Sequence, residues 1–183
     1  MKTLSIICLS FLVLASCSDV KKSSQLSSID EMSKKLESVK AETSENKVDS
    51  AHHISIEARE TELRIKNNYF MDTIDLEFGT KMDQHKNMRR AMAKIDKMYA
   101  DVLAGCDEIT ESLRQLRYDV ENGDGERPKY EEYIAYEKEK MDQVVVLSDE
   151  YLKTKKFAVD TYRSFAKEID DFSWKLWKEN KKK

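Results

Sequence analysis

The chain has 183 residues, with 32 basic and 35 acidic side chains and a formal net charge of −3. Charges of both signs are mixed along it, so no basic field exists to attract nucleic acid, and the 40% apolar content is too high for a chain disordered throughout. One proline and four glycines in the whole sequence point to long, uninterrupted helices.

The first element is a targeting segment rather than part of a core. Lys2 supplies its positive charge, and Leu4 to Val13 form an apolar run broken only by Ser5 and Ser10. The run is shorter than the roughly 20 apolar residues a bilayer span needs. It ends in Leu14-Ala15-Ser16-Cys17. This tetrapeptide resembles the lipobox of bacterial lipoproteins. The resemblance implies removal of residues 1–16 as a signal peptide, a diacylglycerol thioether on Cys17, and acylation of the new amino group by a palmitate-type chain. Two or more acyl chains make a lasting membrane anchor where one binds only marginally. Ser18, not an aspartate, follows the cysteine. In such lipoproteins that implies the outer membrane, on the leaflet facing the periplasm. Cys8 leaves with the leader and Cys17 takes the lipid, so Cys106 is left without an internal disulfide partner.

Residues 17–50, rich in Ser, Lys and Glu, read as a tether. Within it Ile29, Met32, Leu36 and Val39 recur at helical spacing, which predicts a short marginal helix with Ser28 as its cap. Residues 51–183 read as a helical bundle domain. Ile56, Leu63 and Phe70 keep a seven-residue spacing, so residues 52–78 are expected to be helical with those three side chains on the apolar stripe. Gly79 then marks either a bend or a break.

A far stronger signal follows. Met88, Met92, Ile95, Tyr99, Val102, Cys106, Ile109, Leu113, Leu116 and Val120 step by 4 and 3 without a miss, a sustained heptad seam. Cys106 lies on that seam and reads as a small buried hydrophobe. The seam stops at the turn Glu121–Pro128, "ENGDGERP", whose Asn-Gly and Asp-Gly dipeptides are turn formers and whose proline suits a helix start. It resumes at Tyr130 and runs through Ile134, Glu137, Met141, Val144, Ser148, Tyr151, Lys155, Ala158, Tyr162, Phe165, Ile169 and Phe172 to Leu176.

Folding the second seam onto the first, so that paired residue numbers sum to 250, matches every seam position. Val120 meets Tyr130, Cys106 meets Val144, Tyr99 meets Tyr151 and Met88 meets Tyr162. Further along, His85 meets Phe165, Phe78 meets Phe172 and Ile74 meets Leu176. The fold class is therefore all-α: a long antiparallel, coiled-coil-like hairpin. Val144, Val145, Val146 and Leu147 form an apolar run that wraps around the helix, so one or two further segments, from residues 29–45 or 52–76, or a second copy of the chain, are needed to cover it.

Sites of chemistry are few. His53 and Glu57 share a helix face, but neighbouring His52 does not, and no zinc or di-iron spacing appears. "DVENGDGE" departs from the spacing of an EF-hand loop and reads as a plain turn. No nucleophile pair or phosphate-cradling loop is present, so no cofactor, no metal and no enzymatic activity are expected. A metal-dependent helical-bundle enzyme is the remote alternative. At the C-terminus Trp174 and Trp177 share a face and are followed by Lys181, Lys182 and Lys183, a composition suited to a membrane interface.

The expected function is a lipid-anchored envelope protein acting as a binding module or spacer. Its partners would be the membrane, through the N-terminal lipid, and a protein or a second copy. The alternative is a structural role, since a lipid, heptads and a terminal lysine resemble Braun-type lipoproteins, which attach that lysine to peptidoglycan. The predicted hairpin departs from that pattern by folding back at Glu121–Pro128. The expected arrangement has residues 52–78 folded back along the hairpin, the turn free and away from the anchor, and the tryptophans near the membrane.

Overall fold

The computed structural model describes residues 2–70, 73 and 75–182, with side chains from Val20 onward. The sequence-based readings of the Cys17 side chain, Ile74 and Lys183 lie outside these described residues. Long α-helices account for nearly all of the rest: α1 Lys2–Glu45, α2 Ala51–Asn68, α3 Leu76–Asn122, α4 Tyr130–Thr161 and α5 Lys167–Asn180. A π-helical turn, Tyr162–Ala166, joins α4 to α5 without interrupting the chain direction. No strand occurs among the described residues.

The chain divides into two compact units. The first combines Met1–Glu42 with Leu103–Val146, and the second combines Thr43–Val102 with Leu147–Lys183. Each holds three helical segments.

In the first unit the core is the predicted seam. Val120, Leu116, Leu113, Ile109 and Cys106 of α3 and Tyr130, Met141 and Val144 of α4 are buried. The third segment is α1. Gln25, Ile29, Met32, Leu36 and Val39 are buried in alternating steps of 4 and 3. Residues read from sequence as a tether with a marginal helix thus form a packed helix, because their apolar stripe has a groove to fill. Lys40 pairs with Asp107, and Arg117 with Asp30, so α1 runs antiparallel to α3.

The turn between α3 and α4 is tightly organised. Gly123 and Gly125 adopt φ of 69° and 73°, the left-handed region that a side chain would resist. Tyr130 donates its hydroxyl proton toward Asp119 O and Asp124 O, and Arg127 Nε donates to Gly123 O at 2.6 Å. Lys22 Nζ donates to Glu121 O at 2.7 Å, and Lys21 pairs with Glu131 at 2.9 Å. The turn therefore lies beside the residues that closely follow Cys17. This reverses the expected placement of the turn away from the anchor, because α1 packs as a helix from the turn downward instead of hanging free.

In the second unit the hairpin register holds. The rings of Tyr99 and Tyr151 lie 5.9 Å apart, and those of Phe78 and Phe172 5.0 Å apart. The connection between α1 and α2 is pinned from α4: Thr43 and Ser148 share a hydrogen bond of 3.0 Å, Tyr151 donates to Asn46 O at 2.6 Å, and Lys155 donates to Asn46 Oδ1 at 2.7 Å. Two polar residues that interrupt the second seam, Ser148 and Lys155, thus have defined partners. Burial pushes the Tyr151 phenol up to about 12, so it stays a donor.

Two expectations fail in this unit. The stripe of α2 is not Ile56, Leu63 and Phe70, which are 44%, 47% and 77% exposed. The buried face is Ala51, Ile54, Ala58, Thr61 and Ile65. Small residues there let α2 approach closely, a gain that hydrophobicity along the sequence does not reveal. Nor is one helix continuous from residue 52 to 78: α2 ends at Asn68, and α3 starts at Leu76, where Asp75 accepts from Phe78 N at 3.0 Å as its cap. Gly79 lies within the first turn of α3, and the helix continues through it.

Candidate ligand-binding groove

In the second unit α2 and α5 run parallel, and α3 crosses beneath them as the floor. Thr61 bonds Asp170, Arg64 bonds Ser173, and Asn180 bonds Asn68, so the two helices keep one register along this stretch. The π-helical turn precedes α5. It carries one residue more than an α-helical turn, so the buried positions step from Ala158 to Ala166 and then to Ile169 and Ser173. A strict heptad would have buried Tyr162, which is instead 37% exposed, and the predicted Met88–Tyr162 layer does not form as a core layer.

Beside this turn lies a groove of about 550 Å³. Its apolar surface comes from Ile54, Ala58, Met88 and Ala166. Glu57 and Glu60 of α2 stand on one lip, and Arg163 and Lys167 on the other. One end is closed by a clasp: Thr61 Oγ1 donates to Asp170 Oδ1 at 2.7 Å, Arg64 donates to Thr61 Oγ1 and Ser173 Oγ at 3.0 Å each, and Arg64 pairs directly with Asp170. The Arg64 guanidinium also stacks on the Trp174 ring, 4.2 Å from its centroid, so planar cation and aromatic face stiffen the wall together.

His85 lines the groove from α3 and is 1% exposed. Its Nδ1 has no hydrogen-bond partner; Glu62 Oε1 is 3.5 Å away, and that carboxylate is already taken by Arg89, whose Nε lies 2.9 Å from both oxygens. Burial holds the imidazole below its ordinary pKa, opposed by the charge and hydrogen-bonding oxygen of Glu62. Nδ1 is thus turned toward Glu62, which is not among the residues lining the groove.

The sites singled out from sequence fall elsewhere or apart. Trp174 lines the groove, whereas Trp177 stacks edge-on against it at 5.5 Å and carries Lys181 over its ring at 4.0 Å. His53 meets Glu57 at 3.1 Å on the surface, and no group of three or more His, Cys, Asp or Glu side chains suited to a metal exists among the described residues. Cys106 is free and fully buried, and burial pushes its thiol up, so it is a core residue. Among the described residues no helix is long and apolar enough to cross a membrane. The groove itself escaped the sequence reading. The one signal that pointed there, His85 in a seam otherwise apolar, read as a weak layer rather than a site.

No known family model matches the chain. Comparisons with characterised proteins and with solved structures likewise find no match.

Proposed function

We propose that this protein is a lipid-anchored binding module of the bacterial envelope, attached through Cys17 and taking its ligand in the groove of the second unit. The observation that carries the binding role is a 550 Å³ groove with an apolar surface, charged lips and a buried histidine in its lining. Such a size and lining are typical of small-ligand sites. Its position beside a π-helical turn fits the same reading, since these turns are often kept at functional sites. The anchor rests on the Leu14–Cys17 match and on the length of the apolar run before it.

Two measurements test the proposal. Cells fed a clickable palmitate analogue should label the wild-type chain and not Cys17→Ser; equal labelling removes the anchor. A fragment screen on the detergent-solubilised full chain, carrying Trp177→Phe so that Trp174 alone reports, should give saturable fluorescence changes. Their absence across the screen removes the binding module.

A further inference from the structure

The two lips of the groove carry opposite charge. Glu57 and Glu60 face it from α2, Arg163 and Lys167 from the π-helical turn and the start of α5. Glu57 and Lys167 have local partners, His53 at 3.1 Å and Asp171 at 2.7 Å. Glu60 and Arg163 make neither hydrogen bond nor ion pair among the described residues. Glu60 thus stands across an apolar trough from Arg163, whose charge otherwise acts only on Asp160. His85 lines the groove between them, with its Nδ1 turned toward Glu62 Oε1, 3.5 Å away and not part of the lining.

Each feature selects a part of the ligand. The carboxylates select a cation, the guanidinium selects a carboxylate through charge-assisted hydrogen bonds, and the trough selects a small apolar side chain. The volume, about 550 Å³, exceeds what a single amino acid fills and suits a body of two or three residues.

We propose that the groove binds a short peptide in its zwitterionic form, with the free ammonium at the Glu57–Glu60 lip, the free carboxylate at the Arg163–Lys167 lip and an apolar side chain in the trough between them. This rests on the reading of the groove as a binding site and adds the chemistry of its ligand.

The test uses the full chain with Trp177→Phe, in detergent and at low ionic strength, where exposed charges are least screened. The probes are the tripeptide Ala-Leu-Ala with free termini and its N-acetyl, C-amide form, each titrated against Trp174 fluorescence. The free peptide should bind about tenfold or more tightly than the blocked one. Glu60→Gln should erase the preference for the free amine, and Arg163→Gln the preference for the free carboxylate. Both are surface positions whose neutral variants keep the fold, which circular dichroism checks. Equal binding of free and blocked peptides, or a preference that survives both variants, overturns the zwitterion while leaving a binding groove. Silence toward both peptides overturns the inference as well, and the binding reading falls with it only where the fragment screen is also silent.

Discussion

At Gly105 a single missing side chain sets how closely α3 and α4 approach. A Cβ placed there would lie 2.7 Å from Val144 Cγ2, inside any real contact. Valine in a helix has essentially one χ1 rotamer, so that methyl cannot swing away. Gly105→Ala should therefore destabilise the protein by about 1–3 kcal/mol, less the roughly 1 kcal/mol that alanine gains in helix propensity. Val144→Ala in the same chain should restore stability beyond that of Val144→Ala alone. Urea melts of the four chains decide this, and simple additivity would refute the contact. Gly79 is the contrasting case, because a Cβ there meets nothing within 4 Å. His85 makes a prediction of a different kind. Burial lowers its folded pKa below the unfolded value near 6.5. The native state then stays neutral where the unfolded chain takes up a proton, so stability is full above that value and falls as pH drops through it. Glu62 and Asp170 oppose the shift and Arg89 reinforces it. Between about pH 7.5 and about pH 5 the wild type should lose more stability than His85→Gln. Parallel curves would mean that His85 is solvated.

At the scale of elements, α2 is the informative helix. Ile56 and Leu63 face outward, while Ala51, Ala58 and Thr61 share the buried face with Ile54 and Ile65, so the buried stripe is not the one the seven-residue spacing picks out. Ile65→Ala, on the buried face, should cost about 2–5 kcal/mol. Ile56→Ser and Leu63→Ser together should change stability by less than about 1 kcal/mol, as surface changes do. Thermal melts in which the surface pair costs as much as Ile65→Ala would turn the helix over. The π-helical turn is the second such element. It displaces the α5 face by one residue and leaves Tyr162 37% exposed, while Ile169 and the Phe78–Phe172 contact still hold the hairpin.

For the molecule as a whole, the end of α1 that follows Cys17 meets the α3–α4 turn through Lys21 and Lys22. A lipid on Cys17 then brings the turn to the membrane surface. In liposomes holding the lipidated protein, a dye on Asp124→Cys, in a Cys106→Ala background, should be quenched by brominated lipids. A dye that stays fully water-accessible and unquenched would detach the turn from the anchor.

The sequence by itself determined the all-α class, the hairpin and most of its register. Steps of 4 and 3 over so many turns give one apolar face, and the short turn at Glu121–Pro128 fixes which positions pair, so Tyr99 finds Tyr151 and Phe78 finds Phe172. The proposed anchor rests on the Leu14–Cys17 resemblance, which is local to the sequence. Only the tertiary structure decided what covers the hairpin. Ile29 to Val39 looked too short to hold a helix alone, and they hold one because α3 and α4 offer them a groove. Ala51, Ala58 and Thr61 carry little hydrophobic signal, and their burial follows from close approach and from the Thr61–Asp170 bond. The groove belongs to the same class. It draws residues from α2, α3, the π-helical turn and α5 that no spacing links, so only the packing of these elements brings them to one place.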